Sequence, residues 1–381
     1  MPLVETYFHV IIHSPIQTRQ QGLVKISVQV EMHATKSTSV RTLWFQFPED
    51  SHPNQEIDPF AVALLLVAMQ ENEPLELKGT LSQKLFTGLN AYQRIFHSWF
   101  PGRFHMIELR PSGLRNDLPN RQAGQATAFS GGVDSFYTLL KLREGLTHAV
   151  FMAGFDMPLN LSESIGALTD SYSRLMKDLG LTFIVGSTNV RTFVNSVDWT
   201  NAHGPALGAT ALFFKQSLER FYIPSSYERA TYPRWGTHPE LDPLLSTESL
   251  SFEHHGSDAN RVKKLETVTQ APETYERLRV CWIQTLGLKN CGECEKCLRT
   301  MIALDLLEML PNYKTFKPAA LTSEKIRALP LRTHQSRVFA RELLSESFRR
   351  RRWDRCRDLG QALLKREWNF RVGSGSTRVE K

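Results

Sequence analysis

The sequence has no long run of apolar residues. The longest, residues 60–69, is ten residues, whereas a helix that crosses a bilayer needs roughly 20. The first 15 residues also lack the basic stretch that opens a signal peptide, and they carry Glu5 and His9 beside their apolar residues. We therefore expect no membrane association and a cytoplasmic location.

Cysteine is scarce, with five residues in a chain of 381, and four of the five lie within 17 positions. Crowding of this kind in a cytosolic chain indicates a metal site more than disulfides. The spacing is C-x9-C-x2-C-x2-C, formed by Cys281, Cys291, Cys294 and Cys297. Four thiolates at this spacing suit one tetrahedral Zn²⁺, and an iron–sulfur cluster is the alternative. A closed site with four cysteines has no open position, so its expected role is structural.

The positive charge is confined to one end of the chain. The net charge is +7, but residues 311–381 hold 18 Lys plus Arg against 7 Asp plus Glu. Their local net of +11 leaves the rest of the chain at −4, and residues 349–352 are four consecutive arginines. The favoured interpretation is a solvated basic helix, and an acidic partner or RNA is the alternative.

Apolar patterning divides the chain into parts. We predict a small α+β domain over residues 1–112, a polar linker over 113–124, an α/β domain over 125–310, a basic helical extension over 311–372 and a disordered tail over 373–381. Strands and helices alternate from residue 125 onward, which predicts a parallel sheet with helices on both faces. Residues 225–260 are interpreted as loop.

The stretch SGGVDS, residues 130–135, lies between a predicted strand and a predicted helix. It lacks the lysine of a Walker loop, and G-x-G-x-x-G is absent as well. Glycines let the backbone approach a ligand closely, and the amides of a helix N-terminus attract phosphate. Asp134 fits an anion cradle only if it meets a cation such as Mg²⁺ or orients the loop. The alternative is an ordinary strand-to-helix turn.

The complete SGGVDS string resembles the pyrophosphate loop of the N-type ATP pyrophosphatases. The resemblance implies an adenine nucleotide α-hydrolase-like α/β fold and cleavage of ATP between its α and β phosphates. It also implies adenylation of a carbonyl or carboxylate oxygen with release of pyrophosphate. The implied nucleotide-binding residues are Ser130, Gly131, Gly132, Val133, Asp134 and Ser135, with Mg²⁺, and Gly154 beside adenine.

The loop followed by C-x9-CGECEKC-L-R is similar to the 7-cyano-7-deazaguanine synthase family of queuosine biosynthesis. This likeness covers roughly residues 125–305. It implies a carboxylated deazaguanine as substrate, ammonia as the nucleophile and a structural zinc. Lys264 falls where that family has a basic residue near the nucleotide, with Arg261 and Lys263 as neighbours. A cation suits this place because charge builds on the phosphates as the P–O bond breaks.

The chain departs from that family in two places. More than a hundred residues precede the loop, and the segments VDWTNAHGPALG and YPRWGTHPELDPLLSTE match no motif of the synthases. His203 is the preferred candidate there for substrate contact or general base. The other candidates for a substrate pocket are Trp199, Trp235, His238, Asp242 and Glu248.

The departures imply a changed substrate, and they keep several functions open. Similar synthase-like proteins of anti-phage operons are thought to act on a protein partner. An RNA-modifying enzyme is a further reading, motivated by the basic tail, and a non-enzymatic module is another. A homodimer is possible.

Overall fold

The computed structural model describes residues 10–34, 37–118, 124–281, 283 and 287–373. The predicted disordered tail lies outside these ranges except for its first residue. The elements before residue 119 are β1 (Val10–Ile12), β2 (Ile16–Gln20), β3 (Leu23–Ala34), β4 (Ser37–Pro48), α1 (Asp58–Glu71), β5 (Leu75–Ser82), α2 (Gln83–Trp99) and β6 (Leu109–Arg115).

The rest of the chain alternates strands and helices and then becomes helical. Its elements are β7 (Gly124–Ala128), α3 (Val133–Lys141), β8 (His148–Ala153), α4 (Ser162–Asp178), β9 (Thr182–Thr188), α5 (Trp199–Leu212), β10 (Leu218–Pro224), β11 (Ser251–His255), α6 (Arg261–Val268), α7 (Glu295–Leu306), α8 (Ser323–Arg327), α9 (His334–Arg349) and α10 (Trp353–Gly373).

The described strands form one 11-stranded sheet. Its order is β11-β10-β7-β8-β9-β4-β3-β1-β5-β6, with β2 paired to β3. Strands β7 to β11 run parallel to one another. Strand β4 is antiparallel to β9, where Phe45 faces Thr188. This short pairing joins the sheet of the N-terminal stretch to the parallel strands.

Both faces of the sheet are buried, as strand β8 illustrates. Val150 and Met152 belong to one hydrophobic cluster and Phe151 and Ala153 to another. Alternate residues of a strand point to opposite faces, so the two clusters lie on opposite sides of the sheet. The prediction of an α/β protein with a mostly parallel central sheet flanked by helices is therefore confirmed.

The N-terminal stretch shares one of these clusters with the chain that follows. The ring of Phe213, after α5, lies 5.0 Å from that of Phe45 and 5.6 Å from that of Phe60. Close by, the buried Lys215 ammonium pairs with Asp58 of α1 at 3.1 Å. Removing one partner from a buried ion pair is strongly destabilising. Residues 10–118 are thus held to the rest by both apolar and ionic contacts.

Two segments differ from the prediction. Strand β6 continues to Arg115, three residues into the predicted linker, because its last three residues pair with β5. The Arg115 guanidinium also pairs with Asp58 and with Asp117, the latter at 3.0 Å. Strand β11, Ser251–His255, lies in the segment interpreted as loop and pairs with β10. Its sequence SFEHH has only one large apolar residue, so the local preference for a strand is weak. Pairing with β10 is what makes this segment a strand.

The arginine run lies at the corner between α9 and α10 and is used within the fold. Arg350 pairs with Glu266 of α6, and Arg352 pairs with Asp305 of α7 at 2.9 Å. These contacts hold the basic extension against α6 and α7. Within the described ranges no helix is both long and apolar enough to cross a membrane.

Candidate functional site

The candidate site lies where the order of the parallel strands reverses. Strand β7 sits between β8 and β10, because the chain adds β8 and β9 on one side and β10 and β11 on the other. Ligands of open α/β sheets bind in the crevice that such a reversal leaves at the carboxyl ends of the strands. The SGGVDS loop follows β7 at that end.

The loop has a backbone that glycine alone permits. Gly131 has a φ of +74°, and a Cβ there would lie 1.8 Å from the Oη of the buried Tyr172. Gly132 precedes α3, and within the described part of the chain no side chain caps the amides of that helix. Ser135 Oγ donates to the Gly132 carbonyl at 3.1 Å and lies 3.4 Å from Ser130 Oγ. Uncapped amides with two hydroxyls beside them form a cradle for an anion.

Two cations of α6 reach the loop at Asp134. Arg261 Nη1 lies 3.2 Å from one carboxylate oxygen, and Lys264 Nζ lies 3.3 Å from the other. Three positions apart on one helix, the two cations share a face. Burial would raise the pKa of Asp134, but Arg261 and Lys264 outweigh it and lower that pKa. Lys264 also donates to the carbonyl of Ser225, which follows β10.

The first turn of α7 brings two more cations, which the sequence analysis did not assign to the site. Burial lowers the pKa of Arg299 to about 10, with Arg261 as the next cause. Burial also lowers the pKa of Lys296, whereas Asp156, after β8, favours its charged form. Lys296 lies between Cys294 and Cys297 in CEKCLR, and Arg299 follows Cys297 by two positions. Their closeness to the cysteines is the signal in the sequence that points to them.

The four predicted metal ligands come together. Their sulfur atoms all lie within 4.8 Å of one another, and Cys291 Sγ is 3.7 Å from Cys297 Sγ. Zinc–sulfur bonds of about 2.3 Å give a tetrahedron with edges of about 3.8 Å. The amides of Glu293 and Cys294 both point at Cys291 Sγ, at 3.3 Å. This donor set fits a structural zinc ion.

The cysteine cluster is connected to α7 and to the glycine loop. Cys294 is the residue that precedes α7, so the metal ligands set the start of the helix that carries Lys296 and Arg299. Two positions before Cys281, the amide of Arg279 donates to the carbonyl of Gly131 at 2.9 Å. The cysteine cluster therefore supports the candidate site without being part of it.

His203 is held by hydrogen bonds within the protein. Its Nδ1 lies 3.0 Å from the carbonyl oxygen of Trp199, and its Nε2 lies 3.4 Å from Thr237 Oγ1. A carbonyl can only accept, so Nδ1 carries the proton and Nε2 accepts from the threonine. Burial lowers the pKa of His203 to about 4. These contacts hold the neutral ring in place, and its role in substrate contact or as a general base stays a prediction.

The other predicted pocket residues divide into two groups. Trp199 donates from Nε1 to Asp156 at 3.1 Å, and Trp235 packs edge-on against His203. Glu248 instead accepts from the amide of Lys84 at 2.8 Å, at the start of α2.

Two further predicted pocket residues also have contacts within the protein. Asp242 accepts from the buried His254 at 2.7 Å. The ring of His238 packs between those of Trp99 and Tyr232. Glu248, Asp242 and His238 thus hold the middle segment to its surroundings.

Gly154 stands at the carboxyl end of β8, beside β7. Its φ is +91°, and a Cβ there would lie 2.0 Å from the carbonyl oxygen of Thr188 at the end of β9. Its amide donates to Met157 at 2.7 Å. The backbone is therefore closely packed here, and the contact with adenine stays a prediction.

Comparison with models of known protein families, with curated proteins and with solved structures finds no match for this chain.

Proposed function

We propose that the chain is an ATP-dependent, AMP-forming enzyme that adenylates a carboxylate at the crevice beside β7. The observation that carries the proposal is the joining of two separate segments. Arg261 and Lys264 of α6 meet Asp134 of an uncapped glycine loop more than 120 positions away. A cluster of cations around free helix amides suits a pyrophosphate leaving group.

The proposed reaction uses these groups in sequence. The loop amides and the hydroxyls of Ser130 and Ser135 bind the β and γ phosphates. A carboxylate oxygen of the substrate forms a bond to the α phosphorus, and the bond from that phosphorus to the bridging oxygen breaks. Pyrophosphate leaves with the electron pair, and Arg261 and Lys264 stabilise the charge that it gains. An amine then attacks the acyl carbon, and AMP departs.

Lys264 is suited to this exchange because it is already held in place. Its side chain is 1% exposed, and Asp134 and the Ser225 carbonyl fix its ammonium. Bound phosphates would compete for the same cation without any large movement of the lysine. Mg²⁺ would arrive with ATP, because Asp134 alone offers it few ligands and phosphate oxygens supply the others.

The cysteines Cys281, Cys291, Cys294 and Cys297 would hold zinc, which supplies folding stability rather than reactivity. The strand order β11-β10-β7-β8-β9 supports an adenine nucleotide α-hydrolase-like fold for the parallel half of the sheet. In this arrangement the strand order reverses at β7, so the loop that follows β7 lies at the point where a ligand is expected to bind.

A planar heterocycle bearing a carboxylate, such as a 7-carboxy-7-deazaguanine, is the substrate class we propose. The side chains of Trp199 and Trp235 lie beside His203, and Asp156 and Lys296 lie near the same ring. Aromatic faces and one charge of each sign suit such a ligand. A partner protein that provides the amine, in place of ammonia, is the second candidate. It rests on the extended N-terminal stretch.

RNA modification is less well supported. Arg350 and Arg352 are engaged by carboxylates of α6 and α7, so the basic run is partly neutralised within the fold. Salt-dependent tRNA binding would restore this alternative.

The test uses a carboxylate labelled with ¹⁸O. The purified protein is incubated with ATP, Mg²⁺ and 7-carboxy-7-deazaguanine, with and without ammonia, and AMP and pyrophosphate are measured. Adenylation followed by displacement moves one labelled oxygen from the carboxylate into AMP. Release of ADP and phosphate, or AMP without label, would contradict the proposal. A panel of other aromatic carboxylates would then define the substrate.

A further inference from the structure

A single aromatic ring of the C-terminal extension lies against two arginines of the candidate site. Phe339 of α9 is 6% exposed. The Arg299 guanidinium carbon lies 4.0 Å from its ring centroid, and that of Arg261 lies 5.9 Å away. The ring of Tyr227 stacks with Phe339 at 5.1 Å, with an angle of 17° between the planes. The ring thus joins α6, α7 and the segment after β10.

The two arginines depend on this contact because their hydrogen bonds are few. Each makes one side-chain pair, Arg261 with Asp134 and Arg299 with Glu295, both at 3.2 Å. The Nε atoms of both are buried, and neither has a hydrogen-bond partner among the described residues. Both arginines line one small cavity together with Phe339. Two buried cations side by side repel, and the negative face of an aromatic ring offsets part of that cost.

The same helix also contacts the start of α6. Glu342, three positions after Phe339, accepts from the amide of Val262 at 3.3 Å. Helix α9 therefore touches α6 through both a backbone hydrogen bond and the Arg261 side chain. Its position is coupled to the position of the cations that face the loop.

We propose that Phe339 is a positioning residue that holds Arg261 and Arg299 toward an anion bound at the SGGVDS loop. The inference rests on the proposed function, in which that anion is the pyrophosphate part of ATP. Phe339 touches no ligand and acts through the two guanidinium groups. The basic C-terminal extension thereby contributes to the nucleotide site.

The test measures the affinity for inorganic pyrophosphate by calorimetry in the full chain. Phe339→Leu keeps an apolar side chain but removes the ring face, and Phe339→Tyr keeps the face. Phe348→Leu on the same helix is the control, because Phe348 is 65% exposed. We expect Phe339→Leu to bind pyrophosphate about tenfold more weakly, because it loses the cation–π contact with both arginines. We expect Phe339→Tyr and Phe348→Leu to bind like the wild type.

The outcomes separate the two proposals. A wild-type protein that binds neither pyrophosphate nor ATP contradicts the proposed function. A wild-type protein that binds, with an equal affinity in Phe339→Leu, overturns the role of Phe339 alone. Equal losses in the leucine and tyrosine variants also overturn it, because the ring face then has no special effect. If Phe339→Leu lowers the melting temperature or the zinc content, Phe339→Met replaces it as the ring-free variant of larger volume.

Discussion

The backbone amide of Arg279 donates a hydrogen bond of 2.9 Å to the carbonyl of Gly131. This contact connects two motifs that lie about 150 positions apart, the glycine loop and the cysteine cluster that begins at Cys281. The loop can keep its geometry only while the segment around Arg279 stays in place. Disruption of the cysteine cluster should therefore also disturb the conformation of the loop.

Removing the metal tests this connection. We expect Cys297→Ser, or treatment with a strong chelator, to lower the melting temperature and to weaken pyrophosphate binding together. The physical reason is that metal binding is coupled to folding, at about 10–16 kcal/mol in zinc-finger peptides. Metal content and thermal unfolding are measured on the same samples. Cys356→Ser is the control, since Cys356 lies outside the cluster, and unchanged pyrophosphate binding after metal loss would separate the two sites.

Gly131→Ala should disrupt the loop. A positive φ costs a non-glycine residue about 1–2 kcal/mol, and the added Cβ would also meet the Tyr172 hydroxyl. We expect lower stability in urea and at least a tenfold loss of pyrophosphate affinity. Gly166→Ala is the matched control, because that glycine lies within α4 and its Cβ would have open space. We expect this control to be stabilised by about 0.5–1 kcal/mol.

Lys264→Met should lower AMP formation by about 10²–10³-fold, the range seen when one preorganised electrostatic group is removed. The adjacent Lys263→Met changes the same charge on an exposed side chain of the same helix. We expect that control to retain nearly all turnover. Initial rates of pyrophosphate release, with the labelled carboxylate as substrate, distinguish the two variants. Equal losses in both would indicate a general effect of charge instead of a specific contact.

His203 gives a pH dependence with a defined sign. Its pKa is about 4 in the folded protein, against an ordinary value of 6.5. Between these values the unfolded chain binds the proton and the folded chain does not, so stability is lost as the pH falls from about 6.5 to about 4. The loss reaches at most about 3 kcal/mol.

Urea unfolding at pH 7, 5.5 and 4.5 checks this expectation. The His203→Gln variant lacks the titrating ring, so its stability should fall less over the same range. We also expect it to keep most of the AMP-forming activity, because both ring nitrogens of the wild-type histidine already have partners. A loss of activity of 10²-fold or more, with the fold intact, would restore the role of general base.

Features that depend on neighbouring residues were predictable from the sequence. The turn at Gly131, the start of α3 and the convergence of four cysteines within 17 positions follow from local dihedral angles, helix amides and short spacings. Lys264 and Arg261 were predicted from a family resemblance. In the structure both lie on one face of α6 and contact Asp134. The extent of β6 and the existence of β11 were missed because pairing partners, not local propensity, decide both.

The sequence by itself thus determined a glycine turn between a strand and a helix, and a cluster of four cysteines that could hold a metal. Only the tertiary structure decided what surrounds them. Lys296 and Arg299 reach the site because the cysteines begin α7 there, and Phe339 reaches it because α9 packs across α6 and α7. Asp242 and Glu248, chosen as pocket residues, are instead held by His254 and by the start of α2. The physical reason is that burial and long-range packing set these contacts, and no local pattern of residues encodes which distant surface a side chain will meet.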